Sequence, residues 1–337
     1  MLRDIYNRPL KDLRISVTDR CNFRCTYCMP FDEYKWVDKK EILTFEEIAR
    51  IANLFVQLGV DKLRLTGGEP LLRRDLEKLI SKLSFLNGLE DLCLTTNGSL
   101  LAEKVSALKS AGLRRINVSL DTLNPEKFAR IRRRGDLAKV LGGLFAAKRC
   151  GLHPIKINAV IERGINDDDI IALVEFCRKY GFVMRFIEYM DVGNSNNWAS
   201  EKLVSKKEIL EIIDARYPLR EAGRDKGSAP SVDYKFIDGQ GEVGVIASVT
   251  EPFCSTCTRA RLTADGKLVT CLFSATGHDF KALLRNGAED EEIIEIISAI
   301  WRKRTDRYSA DRLETMNSAR GYRAKDYQKI EMITLGG

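Results

Sequence analysis

Three cysteines stand at positions 21, 25 and 28, in the stretch CNFRCTYC. Their C-x3-C-x2-C array is odd in number, which argues against a disulfide framework, and structural zinc sites usually take four ligands. A cubane [4Fe–4S] cluster is commonly held by four cysteines, so three leave one iron without a protein ligand and open to bind something else. A second set, Cys254, Cys257 and Cys271, follows late in the chain with C-x2-C-x13-C spacing. Together with His278 it would make a Cys3His zinc site, and the residues alone leave zinc and iron–sulfur both open. Cys93, Cys150 and Cys177 fall in strand or helix patterns and read as small core residues. His153 and His278 are the only two histidines, too few for a histidine-rich metal site or a histidine-based triad.

The elements that must position these thiols alternate in type. Strands are expected at 13–19, 62–68, 92–98, 115–121, 155–161 and 183–190. Helices are expected at 44–58, 73–85, 100–111, 124–150 with a break at Gly135, and 167–180. TFEE at 44–47 has the capping-box form, and NDDD at 166–169 is an acidic helix start. Gly59, Gly112, Gly151 and Gly181 fall where four helices should end. Six β–α units in a row predict parallel strands joined by right-handed crossovers. The fold class is therefore α/β, a partial (β/α)6 TIM-like barrel, with a C-terminal extension carrying the second cysteine set. A polar loop follows residue 190. The Gly/Ser-rich stretch 220–233 reads as mobile and as a boundary, dividing the chain into 1–220 and 221–337.

The strands share a feature that plain core strands lack. One parity carries Arg14 and Ser16, Arg64 and Thr66, Thr95, Asn117 and Ser119, Lys156 and Asn158, and Arg185, while the other is mainly Leu, Ile, Val and Phe. Period two separates these sets onto opposite faces. The apolar face meets the helices, so the polar face lines an interior. A closed eight-stranded barrel fills that interior with apolar side chains, whereas six strands leave room for a polar ligand. Buried cations need partners, and a polyanion would supply them. Loop acids such as Glu69, Asp121 or Glu188 are the alternative partners.

The totals fit this picture: 337 residues, 44% hydrophobic and 31% charged, are ordinary globular values. No apolar run reaches the roughly 18 residues of a membrane span. MLRDIYNRPL has no apolar signal region, so the nine cysteines point to a reducing, cytoplasmic compartment and to metal chemistry. The net charge is +7. The basic stretch IRRRG at 131–135 reads as a solvated face or a nucleic-acid patch, without the aromatic interleaving of a single-strand binder.

The cysteine array after the first strand, followed by TGGEP at 66–70, resembles the radical S-adenosylmethionine (AdoMet) superfamily. Both cysteine arrays, with VTDRCNFRCTYCMP, RLTGGEPLLRRDL, LTTNG, RRINVSLDTL, RFIEYMDVG, FCSTCTRARL and the terminal GG, are similar to the MoaA-type GTP 3′,8-cyclases of molybdenum-cofactor biosynthesis. The resemblance runs from about residue 8 to the end, apart from 220–232. It implies two [4Fe–4S] clusters, with Cys21, Cys25 and Cys28 holding the AdoMet cluster and Cys254, Cys257 and Cys271 the second. It implies that Tyr27, Gly68, Ser119 and Met190 contact AdoMet and that Arg14, Arg64, Thr95 and Lys156 hold GTP. Arg185 joins them by its face of the strand, and Arg259 and Arg261 would meet phosphate or purine. The terminal Gly336 and Gly337 would reach the active site and assist radical transfer. The implied partners are GTP, a low-potential electron donor and a downstream cyclic pyranopterin monophosphate synthase; no nucleic acid is expected, and a homodimer is compatible. A radical AdoMet peptide maturase with an auxiliary cluster is the rival reading.

Overall fold

The computed structural model describes residues 1–318 and 321–336. Six parallel strands form its centre: β1 (Asp12–Ser16), β2 (Lys62–Thr66), β3 (Asp91–Thr96), β4 (Arg115–Ser119), β5 (Ile155–Ile161) and β6 (Val183–Glu188). Between them run α1 (Phe45–Gln57), α2 (Leu76–Ser84), α3 (Leu101–Ser110), α4 (Pro125–Arg132), α5 (Leu137–Arg149) and α6 (Ile170–Tyr180). The expected capping box opens α1, with Glu47 N–H donating to Thr44 Oγ1 at 3.1 Å and Thr44 N–H to Glu47 Oε2 at 2.7 Å. Gly181 closes α6 at φ 68, its N–H donating to the Cys177 carbonyl. The break expected at Gly135 within 124–150 is present: α4 and α5 are separated where the chain turns left-handed at Arg133 (φ 54) and Gly135 (φ 116).

After β6 come α7 (Lys206–Asp214), β7 (Leu219–Gly223), β8 (Val232–Phe236), β9 (Glu242–Ile246), β10 (Arg259–Leu262), β11 (Lys267–Val269) and β12 (His278–Asp279). The helices α8 (Phe280–Arg285), α9 (Asp290–Arg302), α10 (Tyr308–Met316) and α11 (Met332–Leu335) complete the described chain. All twelve strands belong to one sheet in the order β12-β11-β10-β1-β2-β3-β4-β5-β6-β9-β8-β7. β10 lies parallel beside β1 and β9 parallel beside β6. The partial barrel is thus extended at both edges by strands from the C-terminal part. The stretch expected to be mobile, 220–233, contributes β7 and the start of β8, paired antiparallel with an irregularity between Glu221 and Gly223.

The two strand parities separate as their alternation demands. Leu13, Ile15, Leu63, Leu65, Leu94, Ile116, Val118, Ile157 and Phe186 have no measurable exposure and join one core cluster beneath the helices. The opposite face carries the polar set in register, with Arg14 level with Arg64 and Arg261, and Asn158 level with Arg185.

Candidate active site

The loops after the strands surround a cavity of about 290 Å³. Both cysteine triads line it. So do Tyr27, Gly68, Ser119 and Met190, and Arg14, Arg64, Thr95, Arg185, Arg259 and Arg261. Lys156 is the exception: it sits on the same sheet face, level with Asn117, but is half-buried and does not line this cavity. Residues more than 200 positions apart meet here because β10 adds directly to β1.

The first triad occupies the loop that follows β1. Two glycines after β2 let that loop pack. A Cβ on Gly67 would lie 2.4 Å from the Thr18 carbonyl oxygen, and one on Gly68 would lie 2.3 Å from that of Arg20. Their neighbours hydrogen-bond along this seam, Gly68 N–H to Thr18 O and Glu69 N–H to Arg20 O, both at 2.7 Å. The glycine pair therefore accommodates the chain's own backbone as well as opening onto the cavity. Burial pushes the Cys21 thiol up to about 12, and burial likewise raises Cys25 and Cys28. Three such thiols around one cavity give up their protons to metal cations, which replace the missing solvent. The donor set therefore fits an iron–sulfur group.

The second triad is built from two segments, the turn before β10 and the residues after β11. Arg259 and Arg304 each place a guanidinium nitrogen 3.2 Å from Cys257 Sγ. Burial alone would raise that thiol, but Arg259 and Arg304 outweigh it and pull it down to about 6. Cys271 is pushed up to about 12 by burial and then by Asp306. Arg8 donates to the Cys254 and Asp306 carbonyls, at 2.8 Å each. His278 is exposed on β12, level with Leu268, and does not line the cavity. Among the described residues no three His, Cys, Asp or Glu, in either triad, gather closely enough for a single metal ion, and His278 is not placed as a fourth ligand of the second triad.

The loop acids considered as partners for the lumen cations are engaged elsewhere. Glu69 accepts from Thr96 Oγ1, Asn97 N–H and Leu71 N–H, and burial pushes it up to about 7. Glu188 accepts from the Lys206, Val249 and Thr250 amides. Asp121 pairs with Arg132 at 2.8 Å. Among the described residues no ion pair reaches Arg14, Arg64 or Arg185, and their buried Nε atoms, with Thr95 Oγ1 and Asn158 Oδ1, lack hydrogen-bond partners. Burial, followed by Arg261 and Arg64, holds Arg14 well below the usual arginine range. A buried cluster of guanidinium groups with unused donors, beside the Asp12 carboxylate, has the charge and the donors to take up a polyanion.

The C-terminal tail enters the same region. Arg261 Nη1 donates to the Gly336 carbonyl at 2.8 Å, and a Cβ on Gly336 would lie 2.4 Å from Thr66 Cγ2. Gly337 lies outside the described residues. The tail is pinned upstream by Asp191, which is 1% exposed. Asp191 accepts from Tyr308 at 2.8 Å, Lys329 at 2.9 Å, Tyr322 and Arg312. Sequence reasoning missed Asp191, Arg304 and Arg132. Arg132 had a signal, since IRRRG stands out, but it is only 3% exposed and belongs to no solvated face.

The Radical SAM superfamily profile matches residues 15–177, and the Molybdenum Cofactor Synthesis C profile matches residues 182–310. A GTP 3′,8-cyclase of Acidothermus cellulolyticus is 46% identical over 358 residues, covering 100% of this chain and 99% of the relative. The GTP 3′,8-cyclase of Xanthomonas axonopodis pv. citri is 45% identical over 341 residues, with the same coverage. A crystal structure of Streptococcus suis SuiB bound to S-adenosylmethionine has a similar fold, with a TM-score of 0.62 at 16% identity, covering 91% of this chain and 68% of that one. No helix among the described residues is long and apolar enough to cross a membrane. A shared fold at that identity carries no substrate, whereas full-length identity near one half does, and on that ground the chain belongs to the GTP 3′,8-cyclase family of radical AdoMet enzymes.

Proposed function

We propose that this chain joins C3′ to C8 of GTP, forming 3′,8-cyclo-7,8-dihydro-GTP for molybdenum-cofactor biosynthesis, in a chamber walled by two [4Fe–4S] sites. The observation that carries the reading is that two cysteine triads line one cavity with Arg14, Arg64 and Arg185, which make no ion pair among the described residues. Bound at the [4Fe–4S] cluster that Cys21, Cys25 and Cys28 would hold, AdoMet would supply one-electron chemistry able to remove the 3′ hydrogen of GTP, with methionine as the leaving group.

Cys21, Cys25 and Cys28 would hold the AdoMet cluster. The Tyr27 backbone, Gly68, Ser119 and Met190 border the space for AdoMet. Arg14, Arg64, Thr95 and Arg185 bind and orient the GTP triphosphate, each guanidinium offering charge-assisted donors; Lys156, on the same sheet face but outside the cavity lining, would add its charge from there. Cys254, Cys257 and Cys271 would hold the second cluster, with Arg259 and Arg261 placed for phosphate or purine. Gly336, packed on Thr66, would shield the chamber from water and assist radical transfer to GTP. In this reading residues 1–220 carry the AdoMet site and 221–337 the second cluster and tail. A low-potential donor supplies the electron, and a cyclic pyranopterin monophosphate synthase consumes the product.

Anaerobically reconstituted protein should contain about eight irons, four per cubane, and should cleave AdoMet with GTP present but not without it. Stoichiometric zinc in the second site, or AdoMet cleavage stimulated by a peptide and not by GTP, would overturn the reading.

A further inference from the structure

The junction between α4 and α5 lies across the first cysteine loop. Arg24 N–H donates to the Arg132 carbonyl and Thr26 N–H to the Ile131 carbonyl, both at 3.0 Å. Arg133 ion-pairs with Asp32 at 2.8 Å and donates to the Pro30 carbonyl, which holds the far side of the loop. Gly135 abuts Phe23 so closely that a Cβ there would lie 2.3 Å from the ring. The basic stretch is thus a clamp on the loop between Phe23 and Asp32.

Arg132 is the inward member of that clamp. Its Nη1 donates to Cys25 Sγ at 3.0 Å, and its Nη2 lies 2.8 Å from Asp121 Oδ2. The same carboxylate oxygen accepts from Tyr27 Oη at 2.9 Å, and the guanidinium lies 5.7 Å from the Tyr27 ring centre. Arginine has donors only, so a buried guanidinium aimed at sulfur is matched to the thiolate that a metal ligand must be. Among the described residues, Cys21 and Cys28 receive no hydrogen bond from a cationic side chain. Hydrogen bonds and positive charge at cluster sulfurs favour the more negative, reduced state.

We propose that Arg132 is a positioning residue for the AdoMet-binding cluster: it orients the Cys25 sulfur and raises the cluster's reduction potential, with Asp121 attenuating its charge and tying it to Tyr27. The proposal rests on Cys21, Cys25 and Cys28 being the ligands. The two variants Arg132→Met and Asp121→Asn separate it from a simple buried ion pair, because their shifts are of opposite sign. Methionine removes the positive charge and lowers the potential. Asparagine removes the counter-charge and raises it.

The test is an EPR-monitored redox titration of reconstituted full-length protein, following the signal that changes on adding AdoMet, with iron content and GTP KM measured alongside. Arg132→Met should keep its iron and its GTP KM, while the reduced-to-oxidised ratio at fixed potential falls about tenfold, a shift of about 59 mV for one electron. Arg132→Lys keeps the charge and should recover most of that shift, and it serves as the folded control if methionine destabilises the loop. Unchanged potentials in Arg132→Met and Asp121→Asn, or shifts of the same sign, would overturn the proposal. An AdoMet-responsive signal absent from the unmodified protein would instead overturn the ligand assignment itself.

Discussion

The two cysteine triads present the same donors in different settings. The first lies on one loop, wholly inside the strand-to-helix connection after β1, and among the described residues a single guanidinium reaches one of its three sulfurs. The second is assembled from the turn before β10 and the segment after β11, and Arg8, Arg259 and Arg304 surround it. All three thiols of the first triad are raised by burial, whereas in the second Cys257 is pulled down to about 6 and Cys271 is pushed up to about 12. A site with few cations keeps its reduced state poorly compensated, which suits electron donation. A cation-rich site stabilises negative charge, which suits holding an anionic substrate. Two triads with the same number of thiols thus differ in the charges placed around their sulfurs.

The sharpest way to break this division of labour is to remove one triad at a time. Cys25→Ser should abolish AdoMet cleavage, while Cys257→Ser, which leaves Arg14, Arg64 and Arg185 to hold the triphosphate, should still cleave AdoMet in the presence of GTP and yield little cyclised GTP; product chromatography separates the two. Equal loss of AdoMet cleavage in both would end the comparison. The tail that joins the two sites comes next. Gly336→Val puts a branched side chain where a Cβ already lies 2.4 Å from Thr66 Cγ2, at φ 71, so the tail should leave the chamber. Iron content should hold, cyclisation should fall by more than tenfold, and a free peptide ending in LGG should restore part of it.

Asp191→Asn tests the pin of that tail. It leaves Arg312 and Lys329 buried without their carboxylate, and breaking such a pair costs about 3–5 kcal/mol. Thermal unfolding or limited proteolysis near Lys329 would register it; unaltered stability and protection would mean the tail docks without the pin. A smaller effect belongs to the lumen. Arg185→Ala should weaken GTP binding by about 1.5–3 kcal/mol with AdoMet affinity kept, read by equilibrium binding. If the variant unfolds with its GTP affinity unchanged, Arg185 was a structural partner.

The smallest effect concerns Lys156, which the cavity leaves aside. Burial, followed by Arg185, lowers its ammonium to about 8. It is therefore charged below that pH and neutral above it, so any attraction for GTP is present on the acid side and lost as pH rises. GTP affinity should decline above about pH 8, at most tenfold per unit, and Lys156→Met should flatten that limb. A profile identical in the variant would remove Lys156 from the substrate site.

Much of this molecule was legible before folding because its signals are short-range. Alternation at period two separated Leu13 and Ile15 from Arg14 and Ser16 without knowledge of any neighbour, since a strand sends successive side chains to opposite faces. The C-x3-C-x2-C spacing lies within one loop, and the capping box at Thr44 and Glu47 lies within one turn. The use of those residues was not legible. Arg132 reaches Cys25 across 107 positions, so a run that looked like a solvated charge cluster became a clamp only once α4 ended against the cysteine loop. Gly67 and Gly68 stand out in TGGEP, yet what they pack against, the backbone of Thr18 and Arg20, is set by how β1 and β2 pair. The meeting of the two triads depended on β10 adding beside β1. Periodicity and spacing are properties of a segment and survive in the sequence; which buried charge faces which sulfur is a property of packed segments far apart in the chain, and only the tertiary structure decides it.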